Sequence, residues 1–87
     1  MYALVSLNFD VSTTTEQLSA FASHLRDNRW QEFEQVPSSW FARFDPQGSE
    51  MGIRSASKRD ITEAAREARI IYYHAVIHVG RSKPICF

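Results

Sequence analysis

The chain opens on a strict alternation. Between Tyr2 and Phe9, Ala3, Val5, Leu7 and Phe9 take one side, and Tyr2, Leu4, Ser6 and Asn8 take the other. A period of two predicts a β-strand with the first set toward a core. Asp10-Val11-Ser12 then leaves the strand, and from Thr13 to Arg29 the period changes. Leu18, Phe21, Ala22 and Leu25 recur at helical spacing and make one apolar stripe. Thr13 and Glu16 have capping-box spacing, Arg26 and Arg29 suit the negative end of a helix dipole, and Asn28 fits a terminator.

Trp30 to Val36 and Ser39 to Phe44 read as two further strands, with Pro37-Ser38 as the tight connection, because proline cannot continue a ladder. In the third strand Trp40, Ala42 and Phe44 share one face, while Phe41 and Arg43 share the other. Asp45-Pro46-Gln47-Gly48 is a turn signal. The polar stretch that follows, with Gly52 in it, is expected to be the most mobile loop. Ser57, with Asp60 three residues on, opens a second helix whose buried face is Ile61, Ala64, Ala65 and Ala68. Arg59, Glu63, Arg66 and Glu67 fall on its solvated side. Ile70 to Val79 is the last long strand, in which Ile71, Tyr73, Ala75, Ile77 and Val79 alternate with Tyr72, His74, Val76 and His78. Gly80-Arg81-Ser82 turns the chain, and Pro84-Ile85-Cys86-Phe87 is a candidate short C-terminal edge strand.

The order β-α-β-β-α-β is the split β-α-β pattern of ferredoxin-like folds. It predicts one α+β domain over residues 1–87, an antiparallel sheet with both helices on one face. The opposite face then carries Tyr2, Leu4, Phe41, Tyr72 and Val76. Apolar patches of that kind mark interfaces, and self-association through the sheet face is the simplest occupant.

Composition adds limits. The chain has 87 residues. A domain this small buries roughly 60–65% of the surface its unfolded chain exposes, so stability is modest and a dimer would add to it. The single cysteine, Cys86, has no partner within the chain, which fits a reducing compartment. The first residues lack a basic leader region and a long apolar run, so the expected location is cytoplasmic, with no membrane contact. Net charge is zero but unevenly spread: residues 1–50 hold seven acids and three bases, and residues 51–87 hold seven bases and three acids. Arg54, Lys58, Arg59, Arg81 and Lys83 are the candidate phosphate-binding set, gathered near the second helix and the chain end. The neutral total argues against strong nonspecific nucleic-acid binding, and the plainer alternative is that the two halves neutralise each other on folding.

Few residues form a chemical motif. His74 and His78 share a strand face, yet four residues along a strand span roughly 13 Å, too far for one metal. His24 sits at the boundary of the first helix stripe. Ser38-Ser39 fits turn hydrogen bonding better than nucleophilic catalysis. Trp40-Phe41-Ala42-Arg43-Phe44 lacks the glycines and leading base of an RNA-recognition strand.

Three segments together resemble a known group: Tyr2-Ala3-Leu4-Val5-Ser6-Leu7-Asn8-Phe9, Glu34-Gln35-Val36-Pro37-Ser38-Ser39-Trp40-Phe41, and Ala75-Val76-Ile77-His78-Val79-Gly80. They resemble the ferredoxin-like CRISPR adaptation endonucleases, their small SinR-like relatives and the GhoS-type endoribonuclease antitoxins, with Ser38-Ser39-Trp40 at the hairpin motif. The resemblance implies a homodimer with facing sheets, C-terminal segments reaching the partner through Ile85 and Phe87, and a first-strand aspartate that holds Mg²⁺ or Mn²⁺ in the catalytic members. This chain departs there, since Asn8 stands at that position and an amide is a weaker ligand for a hard cation. Asp10, two residues on, is the substitute for catalysis and metal binding. Two expectations follow. One is a homodimeric, metal-dependent endoribonuclease acting on RNA. The other is a non-catalytic interaction module on the same scaffold, an antitoxin or a phage-borne inhibitor of a host defence complex, needing no cofactor.

Overall fold

A computed structural model describes residues 1–87. The elements are β1 (Tyr2–Phe9), α1 (Thr15–Asp27), β2 (Gln31–Glu32), β3 (Ser39–Arg43), α2 (Glu50–Glu67) and β4 (Tyr73–Gly80). The four strands form one sheet in the order β2-β3-β1-β4, antiparallel throughout. This is the ferredoxin-like α+β arrangement.

The alternation of β1 is realised in three dimensions. Ala3, Val5 and Leu7 are buried with Trp40, Ala42 and Phe44, and both helices close over them through Phe21, Leu25, Ile53, Ile61, Ala64 and Ala65. The alanines of α2 let its backbone approach the sheet closely. Phe9 meets Phe21 edge-on at 5.2 Å, and Trp30 meets Phe44 edge-on at 6.2 Å, geometries that suit the aromatic quadrupole.

Both helices are shifted from the expected boundaries. The capping box of α1 is Thr14 and Gln17, one residue beyond Thr13 and Glu16: Thr14 Oγ1 accepts from the Gln17 N–H at 3.1 Å, and Gln17 Oε1 accepts from the Thr14 N–H at 2.9 Å. An amide does here what a carboxylate cannot, because Gln17 Nε2 also donates to the Arg69 carbonyl at 2.9 Å. That tie to the end of α2 selects the register. Gln17, rather than Leu18, faces α2 at this turn, and Leu18 stands 38% exposed instead of on the core stripe. Asn28 caps the helix end as expected.

The correction is larger in α2. The expected mobile loop before Ser57 is two turns of helix, started by Ser49, whose Oγ accepts from the Gly52 N–H at 2.9 Å. An Arg54–Glu50 pair at 2.8 Å spans one turn. Ser57 and Asp60 sit mid-helix on the buried face, Ser57 at 0% exposure with no partner for its hydroxyl. Both helices then stop alike. Arg29 (φ 74°) and Arg69 (φ 60°) are left-handed, and the N–H groups of the next residues, Trp30 and Ile70, return to the Leu25 and Ala65 carbonyls. Satisfying the orphan carbonyls this way offsets the cost of a non-glycine residue at positive φ.

Strand boundaries also differ, β3 ending at Arg43 rather than Phe44. β2 keeps two residues of the expected Trp30–Val36, because the N–H groups of Val36 and Ser39 bond the Phe33 and Val36 carbonyls and Ser38 turns at φ 64°. β4 begins at Tyr73 rather than Ile70, since Ile70 is held by the end of α2. Residues Pro84 to Phe87 add no edge strand. No helix is long and apolar enough to cross a membrane.

Candidate functional site

The sheet face away from the helices can be mapped from the register. Leu4 lies between Phe41 and His78, Ser6 between Ser39 and Val76, Tyr2 between Arg43 and Gly80, and Asn8 beside His74. Tyr2, Leu4 and Phe41 are half-buried, whereas Tyr72 and Val76 are 70% and 71% exposed. Tyr2, Leu4, Phe41 and Val76 of the apolar set named from the sequence therefore share one face, whereas Tyr72 lies just before β4, beyond the end of that register, and Ser6 and Ser39 interrupt the set across the middle.

Strand alternation alone does not reveal what covers one side of that face. Phe33 stacks on Phe41 with ring centroids 4.8 Å apart. Leu4, Phe33, Val36, Ile85, Cys86 and Phe87 line a groove of about 230 Å³. Cys86 Sγ donates to Gln35 Oε1 at 3.6 Å, and Lys83 Nζ lies 5.6 Å from the Phe41 ring centroid. The tail thus crosses the β1–β3 side, yet Ile85 and Phe87 stay exposed on it. The signal in the sequence was Phe33 and Val36, which reading 30–36 as one strand hid.

At the other end of the face, Asn8, Asp10, Tyr72 and His74 line an open cleft of about 430 Å³. Asn8 and His74 are cross-strand neighbours, and the Asp10 N–H bonds the Tyr72 carbonyl at 3.2 Å. The Asp10 carboxylate is already engaged: Oδ2 accepts from the Ser12 N–H at 3.0 Å and from the Ser12 hydroxyl. These bonds, the hydroxyl's first, hold the Asp10 carboxyl below the usual carboxylate range. A depressed native pKa means that this turn is supported above the ordinary carboxylate pKa, and that the support fades as pH falls through the native value. Ser12→Ala is expected to raise the Asp10 pKa toward the ordinary value, read by NMR titration of its carboxyl carbon. An unmoved titration would contradict the Ser12 contact.

The donor set does not fit a divalent cation within one chain. It offers one carboxylate, already engaged by Ser12, the Asn8 amide and the single imidazole of His74. No group of three or more His, Cys, Asp or Glu side chains is placed to hold a metal.

The basic set divides between two layers. Arg54, paired with Glu50, Lys58 and Arg59 are exposed on α2, and Lys58 borders a groove with Thr62, Tyr73 and His74. Arg81 and Lys83 lie on the open face beside Tyr2, Leu4 and His78. Ser38 and Ser39 serve the turn: the Ser38 carbonyl accepts from the Leu7 N–H at 2.9 Å, and Ser39 is buried. His24 is half-buried with Nε2 unpartnered. Compared with protein-family models, curated proteins and solved structures, the chain finds no match.

Proposed function

We propose that the chain is a non-catalytic protein-interaction module on the scaffold of the nuclease and antitoxin group it resembles, and that its open sheet face receives a protein partner of a defence or toxin–antitoxin system. The observation that carries this reading is the run of large apolar side chains left uncovered on that face: Val36 at 46%, Val76 at 71%, Ile85 at 79% and Phe87 at 111% exposure. Apolar surface gathered on one face of a small domain is where a partner gains most from excluding water. Leu4 and Phe41 form its half-buried centre, the usual place for contacts that carry binding energy. The test is capture of partner by wild type and by Leu4→Glu. The variant is expected to keep its circular dichroism spectrum and to lose binding by at least about a hundredfold, or roughly 3 kcal/mol, for an unpaired carboxylate at an interface centre. Undiminished capture by a folded Leu4→Glu would place the contact elsewhere.

A second reading is supported by the cleft where Asn8, Asp10, Tyr72 and His74 meet. It is the metal-dependent endoribonuclease of the resemblance, with the open faces of two copies closed on each other and the basic residues holding phosphate. It makes the opposite demand on Asp10, which must then be essential to activity rather than only to its own turn.

A further inference from the structure

The two edges of the sheet differ sharply. β2 ends one side with two residues. β4 ends the other with eight, and between Tyr73 and Gly80 it holds no Lys, Arg, Asp, Glu or Pro. Charged residues and proline are what normally guard an edge against pairing.

Backbone parity tells which groups of β4 are free. The Asp10 N–H bonds the Tyr72 carbonyl, and Asp10 and Tyr72 continue the β1–β4 register. Even-numbered residues of β4 therefore turn their N–H and C=O toward β1, while Tyr73, Ala75, Ile77 and Val79 turn theirs to the open edge. Those eight groups are self-complementary in one register. An antiparallel copy centred on Val76 sets Tyr73 opposite the partner's Val79 and Ala75 opposite the partner's Ile77, and the converse. All eight groups on each copy are then satisfied. Centring on Ala75 or Ile77 leaves the outermost residue of β4 without a strand residue to pair with.

The same register brings side chains of the open face together in non-hydrogen-bonded pairs, where facing residues stand closest, at about 4.5 Å between Cα atoms. Val76 meets the partner's Val76, covering a side chain that is 71% exposed in the single chain. On either side of it His74 meets the partner's His78, and His78 the partner's His74. Within one chain these histidines are too far apart to share an ion; across this edge they are neighbours.

We propose that β4 pairs edge to edge with a second copy in the Val76-centred register, and that each of the two His74–His78 pairs so formed binds a zinc-class cation. Imidazole nitrogen is a preferred ligand for such ions, and two protein ligands make a weak site that exists only in the paired state. The contact uses main-chain groups at the edge, so both open faces remain on one side of a continuous sheet.

The experiment is sedimentation of the full chain over a concentration series, with Zn²⁺ and with chelator. At free Zn²⁺ about ten times each site's dissociation constant, two sites strengthen self-association about a hundredfold, because each contributes about tenfold by linkage. His74→Ala is expected to abolish the Zn²⁺ response while keeping the metal-free association. Ala75→Pro is expected to abolish both, since it removes an N–H that faces the free edge and none that bonds β1. Val76→Lys sets two ammonium groups side by side at the dyad and is expected to do the same, which keeps the test open if the proline variant fails to fold. A chain that stays monomeric at all concentrations with and without Zn²⁺ overturns the proposal. So does self-association that persists in folded Val76→Lys, or a Zn²⁺ response that survives His74→Ala.

Discussion

Trp30→Ala is expected to lower the stability of the domain by about 3–5 kcal/mol, the range for truncating a large buried aromatic. Trp30 is 2% exposed, and its indole N–H donates to the Asp60 carboxyl at 3.0 Å from the opposite element of the core. Its backbone N–H closes α1 on the Leu25 carbonyl at 3.1 Å. Truncation opens a cavity against Phe44 and also leaves Asp60, itself 6% exposed, without its one side-chain partner. Trp30→Phe separates the two effects. It keeps most of the packing and loses only the donor, for an expected cost of about 1–3 kcal/mol. Domains of this kind hold about 5–15 kcal/mol in total, so urea unfolding should show Trp30→Ala barely folded and Trp30→Phe folded with a lowered midpoint. Equal midpoints for wild type and both variants would contradict the placement of Trp30 in the core.

The second large effect comes from adjacent positions on β1. Val5 is fully buried between Trp40 and Ile77, while Leu4 is half-buried on the open face between Phe41 and His78. Val5→Glu places a carboxylate in the core with no cation to meet it. The expected cost exceeds about 4 kcal/mol, enough to unfold the chain, because an unpaired buried charge is among the most destabilising changes known. Leu4→Glu keeps its charge at the water side and is expected to cost about 1 kcal/mol, within the ordinary range for a single substitution. Amide dispersion in an NMR spectrum distinguishes the two. Retained dispersion in Val5→Glu, or its loss in Leu4→Glu, would invert the sidedness of the sheet.

That sidedness was legible from the sequence because strand alternation reports a face directly. Ala3, Val5, Leu7, Trp40, Ala42 and Phe44 were all placed on the core side by period alone, and all are buried. The first two turns of α2 were not legible, for a physical reason. Ser57 and Asp60 occupy its buried face, so the apolar stripe breaks where the helix continues, and Gly52 near its start suggests a loop. Asp60 is admitted to the core by the Trp30 indole, a contact 30 residues away in sequence that no local pattern reveals. β2 is shorter than the pattern suggests because Phe33 and Val36 lie on the open side of the sheet, beside the tail and Phe41, rather than continuing a strand.

The candidate site was legible only in part. Asn8 and Asp10 were singled out, but their placement beside His74 and Tyr72 depends on the β1–β4 register, which alternation leaves open. The engagement of Asp10 by Ser12 is a local turn that the sequence Asp-Val-Ser permits without requiring. The basic residues were expected near one another, and the fold parts them because α2 and the segment after β4 lie on opposite sides of the sheet.

In the proposed function this scaffold works through its open face rather than through metal-assisted chemistry at Asp10. The most direct measurement is cleavage of labelled single-stranded RNA by the pure protein with Mg²⁺ or Mn²⁺ and with chelator, beside Asp10→Ala. The interaction reading predicts no metal-dependent cleavage and identical behaviour of wild type and variant. Cleavage that requires the metal and disappears in Asp10→Ala would contradict it and establish the endoribonuclease reading in its place.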